Sequence, residues 1–249
     1  MMAEQCIVVD RDDKPHRPAS KVETHLCSEG LLLHRAFSVF LFSKEGKLLM
    51  QQRAAAKHTF PLYWTNTCCS HPLWTSSEMG GATTADDHTL AAAVQGAKVA
   101  ALRKLEQELG ITGELKLDDL SFLTRIHYRA ADKQGVWGEH EIDYIFLAQA
   151  DVGVQHNPNE IEQIAYMTQD DLKQTVAAAD RGECSVTPWS RHIINTWLYG
   201  WWDKLQQAGS AAAVAAACAD ELIHRVGECA TDETIGAIPS SLRARSNKQ

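Results

Sequence analysis

Residues Leu90–Gly110 read LAAAVQGAKVAALRKLEQELG, and the rest of the chain arranges itself around them. Apolar residues at Leu90, Val94, Ala97, Ala101, Leu102, Leu105 and Leu109 form a stripe of helical period, and Gly110 stands where a left-handed C′ residue ends a helix. Lys104 and Glu108 fall one turn apart on that helix. On its N-terminal side, His34–Phe42 (HRAFSVFLF) alternates and is β-branched or aromatic; Glu45 and Gly46 then turn the chain into Lys47–Arg53, which predicts a hairpin. On its C-terminal side, Leu120–Tyr128 and Glu141–Ala148 have strand character, with a polar turn around Asp132–Gly135. Strands, one long helix, more strands and then C-terminal helices give an expected α/β (α+β) class, a mixed β-sheet sandwiched between α-helices.

Farther out, Cys6–Val9 reads as a short strand that the polar stretch Asp10–Ser20, with its two prolines, brings to an end. Ala54–Ser77 lacks a clean period and is expected to be a long functional loop. Thr168 caps a helix running to Asp180, with Asp171 at the reciprocal position. After Pro188, Trp189–Gln207 reads as one amphipathic helix whose aromatic face holds Trp189, Trp197, Trp201 and Trp202. An Ala-rich piece starts at Ala208 and is expected to be helical to about Arg225, before a loose tail. The expected organisation is one catalytic domain, 1–207, and an Ala-rich C-terminal extension, 208–249, partly helical and then flexible.

With 45% hydrophobic residues among 249, the chain has enough apolar surface for a real core. A formal charge of −8 argues against a general nucleic-acid or anionic-membrane binder, while leaving room for a basic pocket that takes one small anion. Seven cysteines without regular spacing, two of them adjacent, read as reduced thiols in a cytoplasmic or similarly reducing compartment. No apolar run approaches the roughly 20 residues needed to span a bilayer. The N-terminus, with Glu4, Asp10, Asp12 and Asp13, is too acidic for an ordinary transit peptide, and the chain does not end in Ser-Lys-Leu, although a peroxisomal or plastid location stays open. The expected partner is a small molecule, the expected state a monomer or weak homodimer.

Chemistry concentrates in two clusters. Trp64–Leu73 (WTNTCCSHPL) sets two adjacent cysteines just upstream of a histidine, and Trp137–Phe146 (WGEHEIDYIF) alternates Glu139 and Glu141 with His140. Strand period puts the two glutamates on one face, Cα atoms about 7 Å apart, and turns His140 away. A thiol and a histidine brought near that carboxylate pair would join a soft nucleophile or base to a metal-held acid.

Together WTNTCCSHP, HRAFSVFLF, RKLEQELG and WGEHEIDYIF resemble the type I isopentenyl-diphosphate isomerases of the Nudix superfamily, over roughly Glu4 to Leu205. The resemblance implies a divalent metal held by His25, His34, His71, Glu139 and Glu141; imidazole with carboxylate suits Mn²⁺, Zn²⁺ or Fe²⁺ better than Mg²⁺. It implies Cys69 as the catalytic cysteine. Proton addition and removal on opposite faces of an alkene need an acid and a base: Glu141, helped by Tyr128, is expected to deliver a proton and Cys69, as a thiolate, to take one, with either able to act as the acid because the reaction is reversible. It implies a Mg²⁺ contact at Glu108, that ion bridging to the substrate diphosphate, and diphosphate binding by Lys21, Arg53, Lys57 and one or both of Arg103 and Lys104. Trp189 would lay its ring against the developing cation, with core packing as its plain alternative.

Within the Nudix signature Lys104 and Gln107 replace two acids, Gln95 stands at an upstream glutamate position, and Thr89 replaces the leading glycine, which disfavours hydrolysis. The alternatives are a Nudix hydrolase of a nucleoside diphosphate derivative and a non-catalytic diphosphate-binding module. His16, His58, His88, His156, His192 and His224 read as surface or capping residues, and His127 and His140 stand between that reading and a role in the site. Cys6, Cys184, Cys218 and Cys229 read as small buried apolar residues, and Cys68 stays undecided.

Overall fold

The computed structural model describes residues 4–81, 88–232 and 235. Strands β1 (Gln5–Val9) and β2 (Pro15–Ser20) precede helix α1 (Lys21–His25), followed by β3 (His34–Phe42), β4 (Leu48–Arg53), β5 (Trp64–Thr65) and β6 (Cys68–Ser70). Helix α2 (Leu90–Leu109) leads into β7 (Ser121–Ala131), β8 (Gly138–Gln149) and β9 (Ile161–Met167). Helices α3 (Gln169–Asp180), α4 (Pro188–Ile193), α5 (Tyr199–Ala208) and α6 (Ala211–Cys218), then β10 (Ile223–Arg225) and α7 (Glu228–Thr231), complete the chain.

The sheet runs β10-β7-β8-β3-β1-β2, with β6 also on β3 and with β4 carrying β5 and β9. β3 and β8 are parallel, in unbroken register from His34 opposite Glu141 to Phe42 opposite Gln149. β7 and β8 form an antiparallel hairpin with Tyr128 opposite Glu141. Side chains alternate along each strand, so Phe37, Val39 and Leu41 of β3 and Ile142, Tyr144 and Phe146 of β8 share one core with Ala93, Ala97, Ala101 and Leu105 of α2. Phe40, Phe42, Ile145 and Leu147 enter a second core with Trp189, Ile193, Leu198, Trp202 and Leu205. Both faces of the mixed sheet are thus covered by helices, as expected.

Helix α2 matches its expected span to the residue. The Thr89 side chain accepts from the Ala92 N–H, and Gly110 at φ +69° closes the helix by donating to the Glu106 and Leu105 carbonyls. Gly96 permits a close crossing, because a Cβ there would lie 2.1 Å from the Glu78 carbonyl oxygen. The capping box of Thr168 and Asp171 is present on α3.

Other expectations need correcting. The polar stretch after β1 does not stay out of the sheet: it returns as β2, an edge strand that tolerates Pro15 and Pro18 because one side of its backbone needs no partner. The expected β3–β4 hairpin pairs only at Phe42 and Leu48; β4 then leaves to run antiparallel to β9 over Leu48–Arg53. The loop 54–77 contains β5 and β6. The helix expected over Trp189–Gln207 is interrupted by a π turn, Ile194–Leu198. A regular helix would set Trp201 about a third of a turn away from Trp189; the wider turn resets the register so that Trp189, Trp201 and Trp202 all enter one core.

The Ala-rich helix ends at Cys218 rather than near Arg225. Ala211 and Val214 join the second core, and Ile223–Arg225 adds a parallel strand beside Arg125–His127. The tail expected to be flexible falls, from residue 236 on, outside the described residues. None of the described helices is long and apolar enough to cross a membrane.

Candidate active site and metal centre

The parallel register of β3 and β8 sets His34 beside Glu141, and Glu139 follows on the same face of β8. His25 comes from α1, which the Ser20–Glu23 capping box fixes against β8, and His71 follows β6. The ligand atoms of His25, His34, His71, Glu139 and Glu141, all buried, lie within 4.8 Å of one another. The Nδ1–H of His25 donates to the Lys21 carbonyl and that of His34 to the Leu32 carbonyl, both at 2.8 Å, so each ring turns the lone pair of its Nε2 inward. His25 Nε2 faces Glu139 Oε2 at 2.9 Å, a contact that a shared proton or a shared cation makes favourable. His34 Nε2 and Glu139 Oε2 are both buried without a hydrogen bond. Metal–ligand bonds of about 2.0–2.2 Å put neighbouring ligand atoms roughly 3 to 4.4 Å apart, so a slight contraction of this cluster accommodates one divalent ion.

The electrostatics divide the two glutamates. Burial opposes the charge on Glu139, but His25 and His71 outweigh it and hold that carboxyl well below the usual range. Burial and then the charge of Glu139 push Glu141 well above it. Glu141 accepts hydrogen bonds from His71 Nε2 at 2.7 Å and from the Tyr128 hydroxyl, whose own ionisation burial and Glu141 push far up. Burial, with the neighbouring imidazoles, drives His34 well below the ordinary histidine value, leaving a neutral ring fit to ligate.

A buried polar network explains the residues before the cysteines. Thr67 Oγ1 donates to the Leu49 carbonyl at 2.6 Å and accepts from the Leu41 N–H at 2.8 Å, tying β4 to β3. Asn66 Nδ2 donates to the carbonyls of Val39 and Cys68, while its Oδ1 accepts from Trp189 Nε1 at 3.1 Å and Ser190 Oγ at 2.8 Å. β6 is thereby locked on β3 with Ser38 opposite Cys69, and strand alternation settles the two thiols. Cys68 enters the α2 core, its sulfur 3.8 Å from Glu108 Oε2. Cys69 faces the other way, into the cavity, 4.0 Å from Arg53 Nη1 and 3.8 Å from Thr65 Oγ1. Against the thiolate expected at Cys69, burial, only partly opposed by Arg53, pushes this thiol up to about 12 and favours the protonated form.

A cavity of about 170 Å³ brings together Cys69, Glu141, Glu139, Tyr128, Trp189, His25 and His71, with Lys21, Arg53, Lys57 and Lys104 as its cations. Arg53 is buried, doubly bound to the Thr59 carbonyl, with its guanidinium 5.7 Å from the Trp189 ring centroid. Arg103 does not join them: it is turned to Glu78, at 2.6 and 3.0 Å. Glu108 is not a solvated carboxylate of the last helical turn but a buried one. Its oxygens are taken by Lys104 at 3.0 Å and by Gln51 Nε2 at 3.3 Å, and it does not line the cavity. At Glu108, where a magnesium contact is expected, each oxygen carries a hydrogen-bond partner. Glu160, given no role from sequence, holds Lys57 at 2.5 Å and approaches Lys104 at 3.9 Å. His58, read as a surface residue, lines the cavity beside Trp137, ring centroids 5.5 Å apart.

The NUDIX domain family matches residues 32–185. The chain is 49% identical over 211 residues to the isopentenyl-diphosphate Delta-isomerase of Dictyostelium discoideum, covering 82% of this chain and 84% of that one. It is 45% identical over 210 residues to the isopentenyl-diphosphate Delta-isomerase 1 of Bos taurus, covering 83% and 88%. Among solved structures, a protein from Deinococcus radiodurans superposes with a TM-score of 0.49 at 16% identity, covering 78% of this chain and 100% of that one. A NUDIX match across most of the chain, joined to near-half identity along almost the full length of these relatives, makes the chain a member of the type I isopentenyl-diphosphate isomerase family of the Nudix superfamily.

Proposed function

We propose that this chain interconverts isopentenyl diphosphate and dimethylallyl diphosphate, with Glu141 as proton donor and Cys69 as proton acceptor. The observation that carries this reading is a proton-holding carboxyl and a thiol on the walls of one narrow cavity ringed by Lys21, Arg53, Lys57 and Lys104. In the forward direction the π electrons of the terminal alkene form a C–H bond with the proton from Glu141, leaving positive charge on the tertiary carbon. The C2–H pair then closes the new double bond, and Cys69 receives that proton. Each residue returns its proton in the reverse direction.

Burial and the charge of Glu139 keep the proton on Glu141 until substrate arrives, and the Tyr128 hydroxyl orients the carboxyl. Cys69 must first release its own proton to solvent to serve as base, and the positive charge of Arg53 at 4.0 Å favours the thiolate that results. Trp189 presents its ring to the cavity, where a desolvated cation–π contact is worth up to about 2 kcal/mol. When bound by His25, His34, His71, Glu139 and Glu141, a divalent ion supplies fixed positive charge that makes a proton on the carboxyl easier to give up.

Manganese or zinc suits that donor set, and magnesium suits the diphosphate oxygens it would arrive with. Glu108 would reach such a magnesium only by exchanging its ion pair with Lys104. All seven cysteines are free, which supports a reducing, cytoplasmic setting; the chain acts as a monomer or weak homodimer on a small diphosphate. The test is incubation with isopentenyl diphosphate, Mg²⁺ and Mn²⁺ in deuterated water. Dimethylallyl diphosphate carrying deuterium is expected, and phosphate release without isomer would overturn the reading.

A further inference from the structure

His140 stands between Glu139 and Glu141, so strand alternation sends it through to the opposite face of β8. There it meets His127 of β7, and the C-terminal helix α7 lays Cys229 over both. All three are buried, at 3%, 0% and 1% exposure, and their ligating atoms lie within 4.8 Å of one another. We propose that His127, His140 and Cys229 form a second metal site, selective for zinc or a similarly thiophilic divalent ion, that staples the C-terminal segment to the sheet.

The ring tautomers leave one position between the two imidazoles that a proton or a cation can fill. His140 Nδ1–H donates to the Leu31 carbonyl at 2.7 Å, so its Nε2 offers a lone pair, and His127 Nε2 lies 3.0 Å from it. That pairing leaves His127 Nδ1 buried with no partner, a penalty of the kind buried polar groups normally avoid. An ion bound by the two imidazoles and the sulfur would displace the proton now shared between the rings and bring in Cys229 as a third donor. The Leu31 carbonyl fixes the His140 tautomer, as a backbone acceptor commonly does behind a ligating imidazole.

The donors also choose the ion. Two imidazoles and a thiolate suit Zn²⁺ and exclude Mg²⁺, while the active centre with its two carboxylates takes harder ions. Binding replaces the proton on the Cys229 sulfur, which passes to solvent, by a zinc–sulfur bond; nothing is oxidised or reduced. Three protein donors leave the fourth tetrahedral position to water. The mechanical effect follows from the topology. Cys229 is bound to strands about a hundred residues earlier in the chain. The segment it anchors is also tied to β7, through the Val226 N–H donated to the His127 carbonyl at 3.0 Å, and to the N-terminal turn, through Arg11 donating to the Asp232 carbonyl at 3.1 Å.

The experiment is zinc stoichiometry by elemental analysis, together with the ultraviolet thiolate-to-cobalt charge-transfer band after Co²⁺ loading. It uses the full chain, Cys229→Ser and Cys69→Ser. Two metal equivalents are expected for the native chain and Cys69→Ser, and one for Cys229→Ser. The charge-transfer band is expected in the first two and absent in the third, which keeps its isomerase turnover. Should Cys229→Ser not fold, the native chain still decides: peptide mapping after alkylation must show Cys229 protected by zinc and exposed by chelator. A single metal equivalent in the native chain, a cobalt band that survives Cys229→Ser, or alkylation of Cys229 indifferent to zinc overturns the site.

Discussion

The two faces of the central sheet use neighbouring residues for opposite ends. On the cavity face, Cys69, Glu139, Glu141 and Tyr128 converge on one space, and burial there favours the protonated forms of Cys69 and Glu141, the groups proposed to trade protons. On the other face, Cys68 and Ile142, each one residue away, pack against α2, with Glu108 Oε2 3.8 Å from the Cys68 sulfur. Burial alone therefore does not distinguish a reactive thiol from a packing one. What distinguishes them is whether the alternation of the strand points the side chain into the cavity or into the packing against α2.

That contrast breaks most sharply at Glu141. Glu141→Gln removes the proton proposed to be transferred and a proposed ligand, and turnover is expected to fall by about a thousandfold or more while diphosphate binding persists; activity within tenfold of normal would erase the distinction. Cys69→Ala should lose as much in kcat with little change in product inhibition, and near-native kcat would remove the thiol from the chemistry. Trp189→Leu tests the aromatic wall. Its expected loss is up to about thirtyfold in kcat, the equivalent of roughly 2 kcal/mol, and a stability loss alone would reduce it to a packing residue.

The opposite face should answer in stability and not in rate. Gly96→Ala forces a methyl group against the Glu78 carbonyl and is expected to cost about 1–3 kcal/mol in chemical denaturation, with kcat per folded molecule unchanged. The smallest effect is a pH slope. With its thiol pushed up to about 12, Cys69 should alkylate slowly at neutral pH, its rate rising about tenfold per pH unit as the thiolate fraction grows. A plateau near pH 8 would mean that Arg53 wins over burial.

Much of this arrangement is legible in the sequence because it depends on short-range order. The stripe of α2, the Gly110 stop and the Thr168–Asp171 box are local, and each lies where its pattern puts it. The face shared by Glu139 and Glu141, and the exile of His140 from it, follow from a period of two. Other features answer to no local pattern. A search at 3.6 residues per turn cannot register the π turn at Ile194–Leu198, since every apolar residue around it still looks helical. The three residues of β10 are too few for a strand pattern and owe their place to β7.

Long-range partners are equally silent. Lys57 reads as a free cation, but its counter-ion Glu160 lies 103 residues away. Arg103 and Lys104 are indistinguishable in sequence, yet one helical step turns the first to Glu78 and the second to the cavity. Glu108 sits where a last helical turn is ordinarily solvated and is buried by Gln51 of a strand that sequence placed in a simple hairpin. Asn66, which wires Trp189 to the cysteine strand, carried a signal only as the central residue of a Thr-Asn-Thr run in a loop otherwise without period.

The continuous parallel pairing of His34–Phe42 with Glu141–Gln149 has a consequence for how this protein tolerates change in length. Deleting or duplicating one residue inside either partner would exchange inward for outward along its whole run, sending His34 or both glutamates to the wrong side in a single event. The turns between them are free of that arithmetic, so insertions are expected to accumulate there, while the two paired segments keep an invariant spacing.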